Sequence, residues 1–202
     1  MKRSLISTLI LLLVITLLGA CSKTAPKEEH TYTIEEVNVK ITDDTDLLDE
    51  IGVTDSENRW ITVHPKALYY EITMKQNDKP IYYKNDKDKI YASIIPNDDL
   101  KKTSSKLAGF NIFESGGKYG SDVAVEGFKN SKNGRVNVSY NIGATTKNSD
   151  IPLAPSDENL EELQQVARHG MLVLTRNNKE IGRYSLDTLN KVEQKPFYKQ
   201  NK

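Results

Sequence analysis

The sequence predicts a mostly β protein, an immunoglobulin-like two-sheet sandwich with one short helix before a C-terminal hairpin. Three observations carry that expectation. Apolar residues recur with period two from Tyr32 onward, polar turns separate seven or more such runs, and only the stretch after Pro155 has helical spacing. A half-open barrel with one packed helix is the main alternative.

The strands follow in order. Val37, Val39 and Ile41 alternate with Glu36, Asn38 and Lys40, the pattern of a half-buried strand. Tyr32 and Ile34 fall in the opposite phase, which places a bulge near Glu35-Glu36. Trp60 to His64 reads as a strand stopped by Pro65, and Leu68, Tyr70, Ile72 and Met74 share one face of the next. Lys89 to Ile95 is bounded by Asn85-Asp86 and by Pro96-Asn97-Asp98-Asp99. Phe110 to Phe113 and Tyr119 to Phe128 flank a Ser115-Gly116-Gly117-Lys118 turn. Val136, Val138, Tyr140 and Ile142 alternate most cleanly, from a start at Asn133-Gly134. Met171 to Arg176 and Glu180 to Leu186 flank Asn177-Asn178, a two-residue hairpin turn because asparagine tolerates positive φ.

The helix is introduced by Pro155-Ser156-Asp157-Glu158, a cap residue followed by acidic groups at the positive helix end. Leu160, Leu163, Val166 and Ala167 give its apolar face, and Gly170 is the expected stop.

The chain has 202 residues, with 28 basic side chains balancing 28 acidic ones. That neutrality speaks against nucleic acid as a partner, which requires a basic face to neutralise phosphates. Cys21 is the only cysteine, so no disulfide forms within the chain and stability must come from packing.

Residues 1–20 divide into a positive start at Lys2-Arg3 and an apolar run from Leu5 to Leu18, broken only by Ser7, Thr8 and Thr16. The run is short for a bilayer-spanning helix, which needs about 20 apolar residues, and has the length of a signal-peptide core. Leu18-Gly19-Ala20-Cys21 then resembles the lipobox of bacterial lipoproteins. The resemblance covers the leader alone. It implies cleavage before Cys21, with Leu18, Gly19 and Ala20 read by the signal peptidase and the Cys21 thiol receiving a diacylglyceryl group. Two or more acyl chains anchor a protein stably where one does not. The expected organisation is a signal peptide at 1–20, a flexible tether at 21–31, one β-sandwich domain at 32–190 and a polar tail at 191–202. The tether, which includes Pro26 and His30, reaches at most about 3.5 Å per residue.

Motifs with catalytic meaning do not accumulate. Ser115-Gly116-Gly117-Lys118 fits the nucleophile pattern of penicillin-recognising enzymes, but the Ser-Asp-Asn and Lys-Thr-Gly partners are missing and the glycines indicate a turn. His30, His64 and His169 lack the local pairing of a zinc site, so no metal is expected there. Asp43-Asp44-Thr45-Asp46 and Asn97-Asp98-Asp99 lack the spacing of a calcium loop and read as solvated turns. Aromatic residues offer more. Tyr69-Tyr70 and Tyr82-Tyr83 are adjacent pairs, and alternation turns one member of each strand pair away from the core. Trp60, Tyr82 and Tyr83 are therefore the candidate binding residues, against the plainer view that tyrosine simply favours strands.

The expected function is that of a lipid-anchored module on the extracytoplasmic face of the cell membrane, without catalytic residues or cofactor, engaging an envelope protein, peptide or glycan. An envelope hydrolase or hydrolase inhibitor with a noncontiguous site is the alternative.

Overall fold

The structure is a computed structural model and describes residues 31–55, 57–78, 83, 88–114, 123–129 and 131–193. Its elements are β1 (Tyr32–Thr42), β2 (Ile51–Thr54), β3 (Trp60–Val63), β4 (Pro65–Gln76), β5 (Ile90–Pro96), α1 (Asp98–Ala108), β6 (Val123–Ala124), β7 (Asn133–Ala144), α2 (Asp157–Val166), β8 (Gly170–Arg176) and β9 (Lys179–Ser185). The fold is mostly β. A three-stranded sheet in the order β1-β4-β7 faces a four-stranded sheet in the order β6-β5-β8-β9, and β2-β3 forms a separate hairpin. Among the described residues the pairings between these strands are antiparallel, and Leu153 adds one parallel bridge to Ala144 at the end of β7.

One core lies between the two large sheets. Leu68, Tyr70, Ile72 and Met74 of β4 are fully buried, as their shared phase requires, and Val136, Val138, Tyr140 and Ile142 of β7 join them. Ile90, Ala92 and Ile94 of β5 and Leu172 and Leu174 of β8 form the opposing wall. The Tyr140 hydroxyl spans the layers to the Ile94 carbonyl. At one edge the sheets are stitched together. Val123 and Ala124 pair with β5, while Glu126, two residues on, bridges to Arg135 of β7.

Several local expectations are met by visible physical causes. The β1–β4 register shifts between Ile34 and Glu36, so an extra residue bridges the two phases of β1. Asn177 and Asn178 both take positive φ, 52° and 57°, as the tight β8–β9 turn demands. Gly170 is the first residue of β8 and not a helix stop. The last helical residue is Val166, and a Cβ at position 170 would lie 2.9 Å from the Ile95 carbonyl oxygen across the β5–β8 pairing.

Other expectations are corrected. A second helix, α1, starts where a turn is expected. The Asn97 side chain accepts a 2.9 Å hydrogen bond from the Leu100 amide, and Asp98 and Asp99 occupy the first turn. The expected solvated turn at Asn97-Asp98-Asp99 is thus a helix start, where acidic side chains favour the positive end of the helix. Among the described residues no cluster of three metal-ligating side chains occurs. Residues 110–113 are not a strand. They form the irregular connection after α1, with Ile112 buried and the Phe113 ring 4.4 Å from that of Tyr140. β3 ends at Val63, short of Pro65 as expected, and Pro65 then opens β4, a position where its missing N–H is tolerated. Of the expected 119–128 strand, the described part from Val123 to Phe128 is strand only at Val123–Ala124, while 119–122 lies outside the described residues, as does Ser115 to Lys118.

The two helices pack on each other and cover the core with Leu100, Leu160, Leu163 and Ala167. Tyr70 donates a 2.7 Å hydrogen bond to the Ala167 carbonyl, and the Arg168 guanidinium donates to the Val37 carbonyl of β1. These contacts tie the end of α2 to the three-stranded sheet. No helix among the described residues is long and apolar enough to cross a membrane.

Candidate functional site

The β2–β3 hairpin stands at one end of the three-stranded sheet, where β1 finishes and β4 begins. Its inner face carries Val53 and Val63, which with Ala144 form a small core of their own, flanked by Ile51, Ile61 and Ile151. Its outer face carries Gly52, Thr54, Trp60 and Thr62, because residues paired across the strands share a side. Trp60 is 74% exposed. Its ring lies over Gly52, occupying the space a side chain there would need: a Cβ at position 52 would come within 2.0 Å of the indole. Glycine in this strand therefore lets the ring lie down on the backbone with its other face open to solvent.

The turn that joins the strands is held by its own charges. The Asp55 carboxylate accepts backbone hydrogen bonds from Glu57 and Arg59 and contacts the Arg59 guanidinium at 2.8 Å. Arg59 is also 3.1 Å from Glu57. The bond from the Arg59 backbone, with help from its side chain and the Glu57 amide, holds the Asp55 carboxyl below its ordinary range. On the other side of the hairpin, Ser149 donates to the Thr54 carbonyl at 3.0 Å, which fastens the loop after β7 to β2. Residues 147–153 of that loop line an open depression of about 570 Å³, and Leu153 at its end is 58% exposed.

The remaining aromatic candidates separate from this site. Tyr83 is half-buried and packs against the main core, and burial raises its hydroxyl above the ordinary phenol range. Tyr82 lies outside the described residues. Tyr69 does face away from the main core, yet it is buried. The turn at Asp44 directs Leu47 and Leu48 onto the outer side of the sheet, and Leu48 covers Tyr69 and Ala67. No row of outward tyrosines forms on this sheet among the described residues.

A second constellation joins residues far apart in sequence. His169 Nδ1 lies 2.8 Å from a carboxylate oxygen of Asp99. Both His169 and Ser185 line an open depression of about 330 Å³. The Ser185 hydroxyl oxygen accepts from the backbone amides of Asp187 and Thr188, and no hydrogen bond joins it to His169 among the described residues. His64 sits 3.6 Å from Glu50 and shares no ligand cluster with His169.

Sequence periodicity could not reveal the His169–Asp99 pair, whose partners are 70 positions apart. The Gly52–Trp60 contact had one available signal, an isolated glycine inside a short strand, which often marks a close approach. Leu18, Gly19, Ala20 and Cys21 lie outside the described residues. Comparison with family models, with curated protein sequences and with solved structures returns no match to the chain.

Proposed function

We propose that the chain is a lipoprotein anchored through Cys21 to the extracytoplasmic face of the cell membrane, and that it is a non-enzymatic binding or accessory module of the envelope. Its partner, a protein, peptide or glycan, is engaged at the β2–β3 pole. The anchor rests on the lipobox-like Leu18-Gly19-Ala20-Cys21 after an apolar leader. The observation that carries the binding half is Trp60, a large aromatic left 74% exposed on a hairpin whose opposite face is packed. An immunoglobulin-like arrangement of the two sheets belongs to the same proposal and is supported by two antiparallel sheets over one core.

Two measurements test the halves separately. A Cys21→Ser chain should leave the membrane fraction and lack acyl mass. Unchanged retention would overturn the anchor. A Trp60→Ala chain, still anchored, should lose its crosslinks to envelope components on intact cells while keeping its unfolding midpoint. Undiminished crosslinking would remove Trp60 from the site.

A hydrolase, or hydrolase inhibitor, is the second reading, favoured by the His169–Asp99 pair beside Ser185. A serine nucleophile needs its base within hydrogen-bond reach, and that contact is missing here. Stoichiometric labelling of Ser185 by a fluorophosphonate would favour this reading over the first.

A further inference from the structure

We propose that the free face of the Trp60 indole is a stacking platform for a pyranose ring of an envelope polysaccharide, presented away from the bilayer. The inference rests on the proposal above and names the partner's chemistry. Three features of the hairpin converge on it.

The first is the ring's attitude. Because Gly52 has no side chain, the indole lies against the hairpin backbone and turns a flat apolar surface outward. A sugar ring offers the complementary shape, a patch of C–H bonds on one face and hydroxyls around its edge. Its polarised C–H groups meet the negative face of the aromatic system.

The second is the surroundings. Thr54 and Thr62 share the outer face with Trp60, and Asn58 and Arg59 precede it in the turn. A protein-binding hot spot needs neighbours that exclude water around the anchor. A single aromatic among hydroxyls and amides suits a ligand that is itself polar at its rim. Charge narrows the choice further. Asp55 and Glu57 both engage Arg59, and Asp150 stands beside Thr54, so carboxylates outnumber cations at this pole. An anionic lipid surface would be repelled and a neutral glycan would not.

The third is position. The chain enters the domain at Thr31, which is held by Asn77 and Asp78 at the opposite end of the three-stranded sheet. Between that entry and the hairpin end runs β1 from Tyr32 to Thr42, a span of about 33 Å at the usual strand rise. A tether attached at Thr31 therefore leaves the hairpin on the far side from its own attachment.

Trp60 is the only tryptophan in the chain, so its fluorescence reports this site without interference from another indole. The experiment uses the full mature lipoprotein purified in a detergent without a sugar head group. It is titrated with N-acetylglucosamine hexamer and with soluble glycan strands from the cell's own wall. Stacking should shift the emission to shorter wavelength and saturate. Trp60→Ala, which has no indole to follow, should show about tenfold or more weaker retention on the same wall glycan in its insoluble form, the scale of one lost stacking contact. Gly52→Ala should also weaken binding, because the added methyl lifts the ring, while the unfolding midpoint stays in place. Unmoved emission with both probes, or full affinity in both variants, would overturn the proposal. A further arm reconstitutes the lipoprotein in vesicles with brominated acyl chains. Unquenched Trp60 is expected, and strong quenching would mean the ring is in the bilayer, which also overturns it. Failure of the anchor alone is distinguishable, since the N-terminal peptide would then lack acyl mass while the titration in detergent still responds.

Discussion

Trp60 and Tyr83 enter as equals in the sequence, two aromatic residues that favour extended backbone, and packing separates them. Trp60 lies over Gly52 and stays largely exposed, so Trp60→Ala should change stability by no more than about 0.5 kcal/mol. Tyr83 packs on the main core, so Tyr83→Ala should cost about 2 kcal/mol, measured by urea unfolding of both variants. A reversed ranking would exchange their roles. The buried phenols make a separate prediction about pH. Desolvation raises the hydroxyls of Tyr70 and Tyr140 above the ordinary value of 10.0, because the phenolate is the form that burial penalises. Their folded values lie above their unfolded ones, so their contribution to stability is fully present below the ordinary phenol range. It is lost as pH rises through and beyond that range. In an alkaline titration, tyrosinate absorbance from these two residues should therefore appear together with loss of the far-ultraviolet β signal. Ionisation well before unfolding would contradict their burial.

At the scale of the elements, the two helices differ in how they begin. Asn97 makes a side-chain cap bond to the Leu100 amide, whereas Ser156 occupies the equivalent place before α2 without one. Asn97→Ala should therefore cost about 1 kcal/mol and Ser156→Ala only a few tenths, a difference that thermal or urea unfolding resolves. The same pair shows what the sequence made legible and what it did not. α2 was readable because Leu160 and Leu163 recur at helical spacing behind an obvious cap. α1 was not, because Leu100, Thr103 and Ser104 bury a weakly apolar face, and Asn97-Asp98-Asp99 suits a turn as well as a helix start. The long strands β1, β4 and β7 were visible in alternation because one side of each meets the core. Their outer side was misjudged at Tyr69, since only tertiary structure shows Leu48 folding over it. Trp60 was legible as a candidate, while the glycine that sets its attitude acts across strands and showed locally only as an isolated glycine.

Across the whole molecule, the burial is uneven. The main core joins both sheets and both helices, but the hairpin that carries Trp60 rests on a separate cluster around Val53, Val63 and Ala144. Local opening is easiest where few apolar contacts are lost, so amides of β2 and β3 should exchange with deuterium faster than those of β4 and β7. Equal protection would mean the hairpin unfolds only with the rest. The long pairing of β1 with β4 also has a mechanical meaning. The chain enters at the start of β1, and the hairpin departs from the start of β4, at the other end of the same antiparallel pair. Under the proposed anchor and binding site, a pull between the N-terminus and a load held at Trp60 would run lengthwise along both strands. The rungs from Tyr32–Gln76 to Thr42–Ala67 are then strained in shear, all at once, rather than unzipped in sequence. A tethered protein tugged from its far tip would resist as a block.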